Sequence, residues 1–166
     1  MGMKIYSAGC TMTLVRLSLR SLACLACLVA SIPVATTAAT ARDTRYELKI
    51  ADVKKDPRYA ETVPSDVAFY FASQPPAKPD ADLGEFVTNR KTNSFGKPDE
   101  EACRWAMMAA LKVLRDRAIE EGGNAVINIV SYYKKNTFES DTLYECHAGA
   151  FVAGVALKGT VVKLPK

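Results

Sequence analysis

Apolar and charged residues alternate along residues 45–51, where the apolar positions are tyrosine, leucine and isoleucine. A period of two residues is typical of a half-buried β-strand, so the pattern predicts a first strand here. Two further strands are predicted at 67–72, which is rich in aromatic and β-branched residues, and at 84–92. The charged segment 52–65 predicts a loop or one short helical turn, and the proline-rich segment 73–82 predicts an exposed connection.

The strongest helical pattern covers residues 98–121. Pro98 suits the first helical position, three acidic residues follow it, and Gly122 and Gly123 supply a stop signal. At 100° per residue one apolar face is shared by Cys103, Ala106, Met107, Ala110, Val113, Leu114 and Ala118. The helix is therefore expected to pack this face against a sheet, with Cys103 directed toward the core.

Two β segments follow the helix. Residues 124–134 predict a strand whose nearly continuous apolar run suits a central position, and the polar residues 136–141 predict a hairpin turn. Residues 143–162 predict one long strand, bent at Gly149 or Gly154. The order β-β-β-α-β-β predicts an α+β fold: an antiparallel or mixed sheet of about five strands with one long helix on one face.

The N-terminal 41 residues contain no Asp or Glu and have the three parts of a secretory signal peptide. These parts are a basic start, an apolar stretch at 22–32 and a small-residue site that ends at Ala41. The sequence thus predicts a signal peptide at 1–41, translated from Met1 or Met12, and a single domain at 42–166 that is periplasmic or secreted. The apolar stretch is too short for a membrane span, and none is expected in the mature chain.

Charge and cysteine content change once the signal peptide is set aside. The segment 1–41 holds three of the 22 basic residues and none of the 18 acidic ones, so the remaining chain has a formal net charge of +1. This value gives no electrostatic reason to expect nucleic-acid binding. The mature chain keeps two cysteines, Cys103 and Cys146. An even pair in an oxidising compartment predicts a disulfide, with two buried free thiols as the alternative.

The residues with reactive side chains do not form a recognisable catalytic motif. His147 is the only histidine and follows Cys146, but neighbouring strand residues point to opposite faces, which argues against a Cys–His pair. No metal-ligand spacing surrounds it. The glycine-rich segment 149–156 lacks the lysine that a phosphate-binding loop requires. We therefore expect no enzyme activity, no metal and no cofactor.

One helix face suggests a partner. Trp105, Met108, Lys112 and Ile119 lie within about 60° of one another on the face opposite Cys103. An exposed strip of this composition would suit a protein partner or self-association. The alternative is that the N-terminal strand or the proline-rich loop covers this face.

Four motifs carry a resemblance to known proteins: PDEEAC (98–103), GGNAVINI (122–129), YYKKN (132–136) and ECHAGA (145–150). They resemble a family of small exported bacterial proteins that is often labelled excinuclease ATPase subunit. The missing lysine and the signal peptide do not fit that label. More distantly, the chain is similar to the outer-membrane lipoproteins that sense envelope stress for the Rcs phosphorelay, and to the YbjQ family.

These resemblances imply a compact α+β sensor or scaffold domain without catalysis. In the Rcs lipoproteins disulfides tie the helix region to the strands, and Cys146 occupies the position that matches best. The expected function is accordingly an exported, non-enzymatic domain that binds a protein partner or senses the state of the envelope. A small-molecule or metal-binding protein of the YbjQ kind is the alternative.

We predict that the exported protein begins at Arg42, because the small-residue site at 39–41 directly precedes the first charged residues after Arg20. Intact-mass analysis of the periplasmic fraction will measure the mature N-terminus. A species carrying diacylglycerol on Cys24 or Cys27 would contradict both the cleavage site and the soluble assignment.

Overall fold

The computed structural model describes residues 41–72 and 77–165. The predicted signal peptide lies almost wholly outside this range. The chain forms seven strands and three helices within it. In chain order the elements are β1 (Thr44–Lys49), α1 (Ile50–Lys54), α2 (Tyr59–Thr62), β2 (Ala68–Phe71), β3 (Ala81–Asn93), α3 (Asp99–Glu120), β4 (Ala125–Tyr133), β5 (Asn136–Phe138), β6 (Leu143–Ala148) and β7 (Val152–Lys163).

All the described strands belong to one mixed sheet, which curls into a half-barrel against α3. The main path runs β1-β6-β7-β4-β2, while β3 pairs with β7 and β5 pairs with β4. The sheet is mixed because β2 runs parallel to β4 and the other pairs are antiparallel. The predicted α+β fold is confirmed, with two more strands than the five expected.

Strand β7 is the centre of this sheet. One of its edges pairs with β3 from Val152 to Lys163. The other edge is shared, because β6 pairs with Ala153 and Gly154 while β4 pairs with residues 157–162. Strands β6 and β4 therefore follow one another along the same edge of β7.

The two additional strands arise because the chain turns at residues 134–135 and 149–151. The sequence pattern does not predict a reversal at either place. Lys134 and Lys135 both have positive φ, at 50° and 68°, and join β4 to β5 in a tight hairpin. Lysine is not a residue that normally favours this conformation, so the turn was expected at residues 136–141. The segment 143–162 was expected to be one strand bent at Gly149 or Gly154. It forms two strands instead, because the chain reverses fully at residues 149–151, where the Gly149 N–H donates to the Val152 carbonyl at 2.8 Å.

The helix α3 is buried on two sides. The predicted stripe faces the sheet, and Cys103, Ala106 and Leu114 are at most 1% exposed. Met108 and Leu111 are equally buried, on the side where α1 and α2 pack with Val53 and Val63. Among the described residues no helix is long and apolar enough to cross a membrane.

The exposed strip proposed on α3 is not present. Met108 is fully buried, and its predicted exposure is wrong. Trp105 is half-buried, with the Arg58 guanidinium 4.1 Å above its ring. Lys112 and Ile119 do remain exposed. Among the described residues, α1 and α2 of the segment 50–63, which was expected to be mainly loop, pack against the helix.

Asp56 helps to hold the segment 50–63 against α3. Its carboxylate is almost completely buried and accepts hydrogen bonds from the Arg58 backbone at 3.0 Å and from the Arg58 guanidinium at 2.7 Å. Arg104 of α3 adds a second cation at 3.6 Å. Hydrogen bonding from Arg58 outweighs desolvation and lowers the pKa of Asp56 to about 2.

The predicted pairing of Cys103 with Cys146 is present, with the two Sγ atoms at bonding distance and the Cα atoms 5.8 Å apart. The bond joins the first turn of α3 to β6 across the core.

Replacing Cys103 with alanine is expected to lower the free energy of unfolding by a few kcal/mol, because the bond closes a loop with a sequence separation of 43 residues. Denaturant unfolding measures the loss, and non-reducing peptide mapping should recover the linked pair. Two alkylatable thiols in freshly exported protein would contradict the bond.

Asp56→Asn should lower the free energy of unfolding by about 2 kcal/mol at neutral pH, because it removes a buried charge that Arg58 and Arg104 surround. A carboxylate with a lowered pKa stabilises the fold above its unfolded pKa and loses that effect as pH falls. The difference between the wild type and the variant should therefore shrink from about pH 4 to pH 2. Thermal unfolding across this range measures it, with Asp66→Asn at the exposed ion pair to Arg115 as the control.

Candidate functional site

A row of residues crosses four strands on the face of the sheet turned away from α3. The register pairs Lys91 with Gly154, Gly154 with His147, and His147 with Arg45. Directly paired residues on neighbouring strands share a face of the sheet. Because Gly154 has no side chain, the row has a gap between the lysine and the histidine.

This gap is the floor of a groove with a volume of about 590 Å³. Asn89 and Lys91 of β3 form one side, and Tyr133 and His147 form the other. The turn between β6 and β7 closes one end. The remaining lining residues are Ala41, Arg42, Asp43, Gly149, Ala150, Phe151, Val152 and Gly154.

His147 lies between two carboxylates. Its Nδ1 is 2.8 Å from Asp43 Oδ1, and its Nε2 is 2.8 Å from Glu145 Oε1. The imidazole also stacks on the Tyr133 ring, with 3.5 Å between the ring centroids. Only 13% of the histidine side chain is exposed, so these three residues largely define its surroundings.

Each carboxylate has further partners. Asp43 Oδ2 accepts from the Tyr133 hydroxyl at 3.0 Å and from Lys134 Nζ at 3.2 Å. Glu145 pairs with Arg45 Nε at 3.0 Å. Desolvation of Asp43 acts to raise its pKa, but the hydrogen bonds from His147, Lys134 and Tyr133 outweigh it and lower the pKa. The same contact with Asp43 raises the pKa of Lys134.

Both ring nitrogens of His147 contact a carboxylate oxygen, and this limits how their hydrogen bonds can be formed. An ionised carboxylate can only accept hydrogen bonds, and a neutral imidazole has one donor and one acceptor nitrogen. Both 2.8 Å contacts are therefore satisfied together when each ring nitrogen carries a proton, or when one carboxyl group holds the proton itself.

A second set of contacts fixes the end of the groove. The Arg42 guanidinium donates two hydrogen bonds to Asp99, at 2.7 and 2.9 Å, and one to the Gly149 carbonyl at 2.7 Å. The Tyr46 hydroxyl donates to the same Asp99 at 2.7 Å. Hydrogen bonding from Arg42 and Tyr46 lowers the pKa of Asp99. This aspartate opens α3, so an acidic residue expected to complement the helix dipole also anchors the N-terminal segment.

Two loops meet at this same end. Phe95, in the turn before α3, stacks on Phe151 with 5.6 Å between ring centroids. The Ser94 N–H donates to the Phe151 carbonyl at 3.0 Å, and the Ser94 hydroxyl donates to the Gly149 carbonyl at 3.1 Å. Each phenylalanine is nevertheless 66% exposed.

No protein-family model, curated protein or solved structure matches this chain. The family resemblance seen in the sequence therefore stays a prediction. The site has to be interpreted from its own chemistry.

The structure separates Cys146 from His147 as alternation predicts: the cysteine is buried against α3 and the histidine lies on the groove side. Within the described residues, no group of three or more His, Cys, Asp or Glu is arranged to hold a metal ion. The glycine-rich segment 149–156 forms the β6–β7 turn and the start of β7.

The sequence pattern argued against a Cys–His pair but gave no indication of the carboxylates that contact His147. Glu145 could have been found, because residues two apart on a strand share a face. Asp43 and Tyr133 could not, since they lie 104 and 14 positions away from His147 in the chain.

Proposed function

We propose that this chain is an exported, non-enzymatic domain that binds a protein partner in the groove beside His147 and senses the state of the envelope through that site. The observation that carries the proposal is the Asp43–His147–Glu145 cluster on the groove wall, because it fixes a histidine between two carboxylates beside an open groove.

The polar groups of His147 and Asp43 are already hydrogen-bonded to neighbouring side chains, and this supports a binding role. Both nitrogens of His147 are occupied by carboxylates, and Asp43 is bonded by three side chains. A general base needs a free lone pair within reach of the proton it removes, and a nucleophile needs such a base beside it. The contacts described around His147 include no Ser, Thr or Cys side chain, so the cluster is better suited to holding a charge than to transferring one.

The predicted signal peptide at 1–41 supports the exported location. The two 2.8 Å contacts of His147 hold the groove wall in one arrangement, so a partner would meet a preformed surface.

A small-molecule ligand is the second candidate. A volume of about 590 Å³ lies in the range of pockets that bind small molecules, which is roughly 300–1,000 Å³. The lining has the usual composition of such sites, with the apolar Ala150, Phe151 and Val152 beside the polar Asn89 and Lys91. In this reading Lys91 would meet a negatively charged group of the ligand.

A photocrosslinking amino acid placed at Asn89, on the groove, should capture an envelope protein in living cells. The same amino acid at Glu85 is the matched control, because Glu85 lies on the same strand and face but outside the groove. Crosslinks from Asn89 alone, and their loss in His147→Gln, are the expected result. Mass spectrometry of the crosslinked bands measures it.

Equal crosslinking from both positions would contradict a specific groove partner. If neither position crosslinks and ligands raise the thermal midpoint of the wild type but not of Lys91→Glu, the small-molecule alternative replaces the protein partner. If His147→Gln crosslinks as the wild type does, the role of His147 in partner binding is wrong.

A further inference from the structure

The end of the fold where the two loops meet presents an exposed apolar surface. Phe95 and Phe151 are each 66% exposed and Val152 is 47% exposed. Solvent-exposed phenylalanine is unfavourable in water, and two stacked rings with a valine beside them form a contiguous patch. We call these three residues the aromatic tip.

The position of the aromatic tip is fixed by the backbone. Ser94 bonds to Phe151 and to Gly149 and so ties the loop before α3 to the β6–β7 turn. The Lys97 N–H donates to the Ser94 carbonyl at 3.2 Å and closes the turn that carries Phe95. The rings therefore protrude from two short turns that are joined to each other.

The charges around the aromatic tip are positive. Lys97 lies in the same turn as Phe95, and Lys91 lines the groove with Phe151 and Val152; both lysines are exposed. Two carboxylates near this end already have cationic or hydrogen-bonding partners, because Asp99 is bonded by Arg42 and Tyr46, and Asp43 by His147 and Lys134. The surface is thus apolar at its centre and cationic at its margin.

From this arrangement we infer that the aromatic tip docks the domain on an anionic lipid bilayer. Aromatic rings surrounded by lysines are the composition that binds the bilayer interface, since the rings enter the headgroup region and the cations meet lipid phosphates. A symmetric contact between two copies would bring the same lysines together, and this repulsion disfavours self-association. Phe151, Val152 and Lys91 also line the groove, so a bilayer and a groove partner would use some of the same side chains.

The test is co-sedimentation of the exported protein with vesicles of phosphatidylcholine alone and with vesicles that also contain phosphatidylglycerol. Binding is expected only to the anionic vesicles and should weaken as salt is added. Phe95→Ser and Phe151→Ser should each lower the partition coefficient at least about tenfold. Lys91→Gln and Lys97→Gln should each lower it about fivefold.

Two matched controls separate the tip from general surface effects. Val87→Ser removes an apolar side chain that is 56% exposed on β3, and Lys55→Gln removes an exposed cation near α1. Both variants should bind vesicles as the wild type does. All the substituted residues are exposed, so their thermal midpoints should stay close to the wild-type value, and a large drop in any tip variant would point to a structural role instead.

Phe151→Trp reports on insertion directly. Its emission should shift to the blue when anionic vesicles are added, relative to the wild type, whose Trp105 is half-buried beneath Arg58. No sedimentation with anionic vesicles, or equal sedimentation of the Phe95→Ser and Phe151→Ser variants, would overturn the inference. A blue shift that rises with protein concentration in the absence of lipid would also overturn it, in favour of a second copy as the occupant.

Discussion

Strand β7 is the constraint on which the rest of this fold depends. It pairs with β3, β4 and β6 and also packs against α3. Its residues must therefore leave room for these four elements. Small residues make this possible. A Cβ at Gly159 would lie 2.8 Å from Val126 Cγ1, and one at Gly123, where α3 ends, would lie 2.7 Å from Val161 Cγ1. Side chains at these two positions would push β4 or the helix away from the sheet.

The sharing of one β7 edge by β6 and β4 is what creates the site. Neither strand pairs with the full edge, and at their junction a side chain replaces a backbone ladder bond: the Ser131 hydroxyl accepts from the Glu145 N–H at 2.9 Å. The end of β4 then lies beside β6, and Tyr133 stacks on His147. A regular sheet with one partner on each edge would keep these two side chains apart.

Periodicity was enough to predict the elements that bury a regular apolar face. Such faces predict the helix α3 and the strands β1, β2 and β4. Together with the even number of cysteines after residue 41, they also predict the pairing of Cys103 with Cys146. The turn at Lys134–Lys135 did not follow, because positive φ at two lysines is set by the strands they join and not by their own preference. The burial of Met108 was missed for a similar reason: it depends on α1 and α2, whose short segments carry little periodicity of their own.

The site was harder to predict than the fold because its residues come from separate parts of the chain. Phe95 and Phe151 are isolated aromatic residues in the sequence and become a pair only when two loops meet. Cys146 and His147 connect the core with the site, because adjacent strand residues face opposite sides of the sheet. The disulfide joins Cys146 of β6 to Cys103 of α3 on the core side of the sheet. His147, the next residue, lies on the opposite side of β6, where it lines the groove. The bond that stabilises the core thus lies directly beside the residue that lines the groove.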